Sequence, residues 1–263
     1  MDQILGAEIS APAFGVIQAM TEMELSARLT ECGVPHDAAL PGKLLRYHEL
    51  LMDWNTRMDL TAVTDEAEMI DRHYVDSLSA LAIPGLIPAA GTLIDVGTGA
   101  GFPGLPLALA CPNLRVTLMD AQQKRLNFLR AVIDELDVRN VTLVHARAED
   151  GAQFPQHREK YDVAVARAVA SLAVLSEYLL PYVRVGGKAV CWKGPALAEE
   201  LQQGRRAAFL LGGRVEEPIS VTFPGREWQH MLLPVSKTAK TARQYPRKAG
   251  TPSKSPLGNS GSK

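Results

Sequence analysis

The densest chemistry in the chain lies in Asp95-Val96-Gly97-Thr98-Gly99-Ala100-Gly101-Phe102, where glycines alternate with other residues just after an apolar run. Side chains at those glycines would hold a ligand away from the backbone, and the turn needs φ angles that other residues resist. Joining a first strand to a first helix at the carboxyl edge of an open parallel sheet, such a turn builds a nucleotide crevice. Pro103 suits the first turn of the helix, where an N–H needs no partner. Two carboxylates frame the crevice. Asp95 closes the strand before the glycines, and Asp120 ends the next expected strand. There Asp120 can accept hydrogen bonds from both ribose hydroxyls or cap the following helix. Ala148 and Glu149, after a third strand, sit in the loop that flanks adenine in sheets of this kind, although Glu149 alone reads equally as a surface carboxylate.

Two cofactors suit this arrangement. Gly99, Gly101 and Gly104 also satisfy G-x-G-x-x-G, with Asp120 spaced to hold a dinucleotide ribose, which points to an NAD-dependent oxidoreductase. S-adenosylmethionine is the better reading. Asp95 stands where methyltransferases similar to this chain keep an acidic residue near the methionine moiety, and too little chain follows the sheet for a dehydrogenase substrate domain.

Methyl transfer is an in-line displacement on a sulfonium, in which positioning supplies much of the catalysis. Acceptors differ in what else they need. Carbon-5 of a pyrimidine needs a thiolate, and Cys191, inside Val190-Cys191-Trp192-Lys193, reads as buried strand core. An exocyclic amine calls for an Asn/Asp-Pro-Pro-aromatic turn after the fourth strand, and Val165-Ala166-Arg167-Ala168-Val169 lacks it. A ring nitrogen with a free lone pair, such as guanine N7, needs neither device, and the lack of both points to it; small-molecule N- or O-acceptors would also fit. No residue is therefore expected to act as acid or base, and His73, Asp76 and Arg167 are candidates for positioning. His73 and Asp76 share a helical face at i, i+3, as a polar pair aimed into the crevice or as groups satisfied at a subdomain junction. Arg167 leaves a strand at the ligand edge, where a guanidinium can face a cofactor carboxylate or an RNA phosphate.

The elements that must position these residues follow from periodicity. Up to about Ile83 the chain reads as helical: Leu44, Tyr47, Leu51 and Trp54 recur at helical spacing, as do Met69, Ile70, Tyr74, Leu78 and Leu81. Asp65 and Glu68 form a capping box for the second of these helices. From Thr92 strands and helices alternate: strands Thr92–Val96, Val116–Met119, Val141–His145, Tyr161–Val165 and Ala189–Lys193, with helices near Pro103 and over Gln122–Leu136, Leu172–Val183 and Ala196–Leu211. Alternation of this kind gives a parallel sheet with right-handed crossovers. Two last strands, Arg214–Val221 and His230–Val235, flank Pro224-Gly225 and should pair antiparallel. The expected fold is doubly wound α/β, a mostly parallel seven-stranded class I methyltransferase sheet under an N-terminal helical cap. Its expected segments are the cap (1–83), an S-adenosylmethionine-binding domain (84–236) and a basic flexible tail (237–263).

Net charge is −1 over 263 residues, yet its distribution is lopsided. After Ser236 there are seven basic residues and no acidic one, which leaves about −8 on the body. Around the single Tyr245, Arg243, Arg247 and Lys248 suit an arm that neutralises phosphate and stacks on a base; a solubilising tail is the plainer reading. The three cysteines show no paired spacing, so neither a disulfide framework nor a metal site is expected. With no basic leader and no membrane-length apolar run, a cytoplasmic protein without a membrane partner is expected.

These residues resemble a known family, the bacterial 16S rRNA guanine-N7 methyltransferases, also called glucose-inhibited division protein B. The resemblance runs from about Leu51 to Lys193. It is carried by Trp54-Asn55 with Leu60-Thr61-Ala62-Val63, by Arg72-His73-Tyr74-Val75-Asp76-Ser77-Leu78 joined to the glycine turn, by Arg167-Ala168 with Ser171-Leu172, and by Lys193-Gly194. It implies S-adenosyl-L-methionine as cofactor, with contacts at Gly97, Phe102, Ala148, Glu149 and Arg167. The implied substrate is 16S ribosomal RNA or the small ribosomal subunit; the enzyme itself is expected to be monomeric. The tail from Arg243 to Leu257 resembles the C-terminus of many members, and RNA contacts are expected at Asn55, Lys193, Arg243, Tyr245, Arg247 and Lys248. Asn55 reads equally as a helix cap and Lys193 as a solvated strand end. Asp59 stands where members often carry Asn.

Overall fold

A computed structural model describes residues 20–63, 65–167 and 170–259. The first nineteen residues of the expected cap, Ala168 and Val169 of the turn after the fourth strand, and Lys263 of the basic tail lie outside them. The helical segment comprises α1 (Glu22–Glu31), α2 (Leu40–Asn55), α3 (Glu66–Met69), a π-helical turn (Ile70–Val75), α4 (Asp76–Leu78) and a 3₁₀ turn (Ser79–Ala82). Among the described residues it holds no strand. Asp65 accepts the Glu68 N–H at 2.7 Å, the forward half of the expected capping box. The full reciprocal box belongs to Thr21 and Glu24 at the start of α1, unforeseen from the sequence. The apolar spacing Ile70, Tyr74, Leu78 does mark a buried face, but the turn between is wound as a π-helix, a form that clusters at functional sites.

The sheet follows: β1 (Gly91–Val96), α5 (Gly104–Ala110), β2 (Leu114–Asp120), α6 (Gln123–Glu135), β3 (Val141–His145), α7 (Ala148–Gly151), β4 (Tyr161–Ala166), α8 (Leu172–Leu179), β5 (Val183–Lys193), α9 (Leu197–Leu210), β6 (Gly213–Val215), β7 (Ile219–Thr222) and β8 (Gln229–Lys237), with a last helical turn α10 (Thr251–Lys254). Strand order is β3-β2-β1-β4-β5-β8-β6, with β7 also on β8. The first five strands pair parallel and β8 runs antiparallel to β5. Leu93, Ile94, Leu118, Ala164 and Val165 are all fully buried, as helix layers on both faces require.

Three expected boundaries move. The single strand Arg214–Val221 is two, β6 and β7, both on β8. Glu216-Glu217-Pro218 separates them, and Pro218 has no N–H to donate to a ladder. The seven sheet positions hold, the last shared by two short strands. Helix α8 stops at Leu179 rather than Val183 because Pro181 has no N–H with which to continue the helical ladder. Strand β5 starts at Val183, six residues early, and its register on β4 shifts across Gly186 at an irregularity opposite Tyr161–Val163.

The cap shares its core with the sheet. Leu25, Leu44, Tyr47, Leu51, Tyr74 and Leu78 belong to the same apolar cluster as Leu93, Val116 and Val163. Burying each such side chain contributes roughly 1.5–3 kcal/mol, so cap and sheet hold each other in place. Asp71, in the π turn, adds a polar lock: it is 2% exposed and pairs with Arg28 of α1 at 2.9 Å and Arg226 of the β7–β8 turn at 2.6 Å.

The expectation of a mobile tail is corrected over 237–259. Lys237 is buried, donating to the Leu180 carbonyl at 2.7 Å and pairing with Glu159 at 3.4 Å. Arg158 grips the carbonyls of Thr241, Ala242 and Tyr245 at 2.9–3.2 Å. Arg247 forks onto Glu177, itself fully buried, and Gln203 donates to the Leu257 carbonyl. Basic composition reads as solvated from the sequence; here the acids that neutralise it lie 70 or more residues upstream.

Candidate functional site

The glycine turn leaves the end of β1 with the N–H groups of Gly97 and Thr98 donating to the Met119 carbonyl at 2.8 and 3.0 Å. Gly97 and Gly99 have φ of 76° and 61°, and a Cβ built on either meets nothing within 4 Å. The backbone there is left accessible on its outer side. Gly101 is constrained the other way: a Cβ would strike the Tyr47 hydroxyl and lie 2.8 Å from Leu129. Asp95 is fully buried beneath the turn. Its Oδ2 accepts from Thr98 Oγ1 at 2.7 Å and Gly104 N at 2.8 Å, while Oδ1 is buried without a protein donor. Burial pushes this carboxyl up to about 6, against the pull of the Thr98 and Gly104 hydrogen bonds and the Arg167 charge.

Asp120, 4% exposed, accepts Gly99 N at 2.9 Å on Oδ2 and Gln122 N at 2.8 Å on Oδ1. It thus braces the glycine turn and the entry to α6, whose N-cap is Gln122, and still borders an open cleft. That cleft has a volume of about 300 Å³, at the small end of the range for cofactor sites. Gly97, Asp120, Arg125, Ala148 and Glu149 line it from the sheet side, Tyr178 from α8. Sequence reasoning missed part of the wall: Gly250 and Ser253 of the tail also line it, and Gly250 N donates to Glu149 Oε1 at 2.7 Å.

Arg167, Phe102, His73 and Asp76 gather beside the cleft, at the junction of cap and sheet. Arg167 Nη1 donates to the Arg72 carbonyl at 2.6 Å and to Asp76 Oδ2 at 3.2 Å, and Nη2 donates to His73 Nδ1 at 3.1 Å. Its guanidinium lies 5.0 Å over the Phe102 ring, on which His73 also stacks. Since arginine only donates, His73 Nδ1 is the acceptor and the ring proton sits on Nε2, 2.9 Å from Thr61 Oγ1. Burial first, and the Arg167 charge second, hold this imidazole down at about 4, so it is neutral at physiological pH. His73 and Asp76 are linked through Arg167 rather than paired together, and none of the four, the expected cofactor contacts Arg167 and Phe102 included, lines the cleft. Asp76, fully buried, also meets His230 Nδ1 at 2.8 Å. No local signal flags His230, because its partner lies 154 residues away.

The residues expected at RNA divide. Arg243 and Lys248 are exposed and Tyr245 is half-buried. Arg247 is committed to Glu177. Lys193 is buried against Glu200 at 2.7 Å and the Ala170 carbonyl at 2.8 Å, so it is not a solvated strand end. The Asn55 amide staples the following loop, accepting Leu60 N and Thr61 N and donating to the Thr61 carbonyl. Asp59 is exposed. Among the described residues no cluster of His, Cys, Asp and Glu could hold a metal, and no helix is long and apolar enough to cross a membrane. Cys191 is buried in β5, its thiol pushed up to about 12 by burial, which leaves no thiolate for covalent catalysis.

The family model for rRNA small subunit methyltransferase G (GidB) matches residues 41–228. Ribosomal RNA small subunit methyltransferase G of Alkaliphilus metalliredigens is 48% identical over 237 residues, 90% of this chain and 99% of the relative. The protein of the same name from Leuconostoc mesenteroides is 44% identical over 239 residues, covering 90% and 100%. Among solved structures, PH0793 of Pyrococcus horikoshii superposes with a TM-score of 0.51 at 16% identity, covering 69% of this chain and 68% of that one. That last likeness concerns the fold alone.

Proposed function

Because the chain belongs to the rRNA small subunit methyltransferase G family, we infer that it transfers a methyl group from S-adenosylmethionine to guanine N7 of 16S ribosomal RNA. The observation that supports the site assignment is convergence: Gly97 of the open glycine turn, Asp120 and Glu149 meet around one cleft, and Asp95 lies buried beneath that turn with one oxygen unpartnered. These groups fit the cofactor. Asp120 and Glu149 would accept hydrogen bonds from its nucleoside, Gly97 and Gly99 let the backbone come close, and Asp95 Oδ1 would face its ammonium. Gly101 acts by close packing under the turn and Ala148 by its place in the wall.

The bound cofactor supplies an electrophilic methyl on a sulfonium. Guanine N7 carries an in-plane lone pair and no proton, so the chain need only align it and exclude water. His73 accords with this, being neutral with both ring nitrogens engaged. Arg167, held by Asp76 and stacked with Phe102, is a fixed cation at the junction of cap and sheet, from which its field would orient RNA phosphate or the cofactor carboxylate. Arg243 and Lys248 would meet phosphate from the tail, with Tyr245 beside them. Asn55 and Lys193 would shape the RNA-facing surface through the loop and strand they hold. On this reading the enzyme acts as a monomer in the cytoplasm.

N7-methylation makes the glycosidic bond labile, so borohydride and aniline cut the chain at that nucleotide. Treated 16S RNA should show one new cleavage that requires both this protein and S-adenosylmethionine. Methyl found instead on cytosine C5, an exocyclic amine or a small metabolite would overturn the assignment of acceptor.

A further inference from the structure

The tail carries more than charge. The geometry points to residues 244–257 as a built wall of the cofactor cleft, one that closes over the nucleoside end of S-adenosylmethionine before any RNA is present. This rests on the cofactor assignment above and adds a binding role for a segment outside the family match, which ends at residue 228.

Three observations support it independently. First, Gly250 and Ser253 border the same cleft as Asp120 and Glu149. Second, the segment is fastened just before that border, and at its first residue, by buried acids. Arg247 forks onto fully buried Glu177 at 2.6 and 2.9 Å, its own backbone N–H also reaching Glu177 at 2.8 Å. Three residues on, Gly250 N donates to Glu149 at 2.7 Å. A backbone donor and a charge-assisted fork on one buried carboxylate fix the chain far more tightly than a surface ion pair could. Third, the turn is shaped for this position: Gly250 has φ of +80°, open to glycine, and Ser253 Oγ lies 2.7 Å from the hydroxyl of Tyr178, another wall residue. Glu149 is then a shared group. One oxygen holds the tail through Gly250 N, and the other is left to the nucleoside, so that tail docking and cofactor binding reinforce each other through a single carboxylate.

Hydrogen exchange on the intact chain tests this without a variant. Added S-adenosylhomocysteine should slow exchange in peptides spanning 244–257 by about tenfold or more, together with the peptide carrying Asp120. Calorimetry on full-length Ser253→Trp, whose ring would intrude at the mouth from an exposed position, should show S-adenosylhomocysteine binding weakened by about tenfold or more. A chain ending at Arg243, which keeps the Lys237–Thr241 clamp, should lose affinity similarly if it unfolds cooperatively; if it does not, the first two measurements decide. Protection at Asp120 with none at 244–257, or Ser253→Trp binding within about twofold of wild type, would overturn the wall. So would a folded truncation that keeps cofactor affinity and loses only RNA affinity, which would return the tail to the role of an RNA arm. A wild-type chain that binds neither S-adenosylmethionine nor its product defeats the cofactor assignment itself.

Discussion

A carboxyl buried with one oxygen unsatisfied, as in Asp95, is costly to ionise, and the folded chain holds it at about 6 instead of its ordinary 3.8. The sign of the consequence follows. Between those values the folded state binds more protons than the unfolded one, so the stability this group contributes is complete below about pH 3.8 and is lost as pH rises through 6. A cationic ligand reverses the preference, because its ammonium favours the carboxylate. Binding of S-adenosylmethionine should therefore expel a proton, and affinity should climb as pH rises from about 5 to about 7, by at most a factor of ten per pH unit. Asp95→Asn should be weaker and flat across that window. Calorimetry in buffers of differing ionisation enthalpy reads the released proton directly. An affinity that does not change with pH would remove Asp95 from the methionine end and leave it a brace for Thr98 and Gly104. His73 supplies no competing step in that range, since burial, and then the Arg167 charge, hold it at about 4.

At the scale of elements, one glycine turn serves two structures. Gly101 lies where α2, α5 and α6 converge, with Tyr47, Leu105 and Leu129 against it, whereas Gly97 faces the cleft with open space beyond. Gly101→Ala should therefore act through packing, costing about 2–4 kcal/mol in urea unfolding as the cap is pushed from the sheet. Gly97→Ala should cost about 1 kcal/mol of backbone strain while lowering cofactor affinity much further, because its methyl enters the cleft. Equal losses in both assays for both variants would show that the turn is not divided in this way. This division is invisible in the sequence, where the glycines differ only by position. The strand-helix alternation was legible because buried parallel strands are short apolar runs and their helices carry apolar faces, as at Leu126, Leu129, Val132 and Ile133 of α6. So was the closing antiparallel pair, from Pro224-Gly225. What stayed hidden depends on partners distant in the chain. The π turn at Ile70–Val75 offers its Arg72 carbonyl to Arg167, 95 residues on, and Asp76 waits for His230. Asp120 and Glu149 could be placed beside the cleft because one ends and the other follows a strand at the ligand edge; Gly250 and Ser253 could not, because nothing local says where a basic tail docks.

Over the whole molecule the same docking changes the charge that RNA would meet. Counted along the sequence, the chain after Ser236 offers seven cations to a body of about −8. Folding removes two of them: Lys237 is buried beside Glu159, which helps offset the burial that lowers its ammonium to about 8, and Arg247 is tied to Glu177. Lys240, Arg243, Lys248 and Lys254 remain exposed, the last two flanking the residues that border the cleft. Each phosphate neutralised on a duplex adds about 0.9 to the slope of log affinity against log salt, and about 0.7 on a single strand. Four free cations can therefore account for a slope of about 3, and six, with the two held residues released, for about 5. Changing the four exposed residues together to Gln should flatten the measured slope for a 16S fragment by about 3, and leave S-adenosylhomocysteine affinity unchanged. Fluorescence anisotropy across a salt series provides the slope, and calorimetry on the same protein provides the control. A slope unaltered by the four substitutions would move RNA recognition off the tail, to Arg167 and the cap. A further flattening of about 1 on Arg247→Gln would mean that RNA draws Arg247 away from Glu177, and that the tail leaves its dock when the substrate arrives.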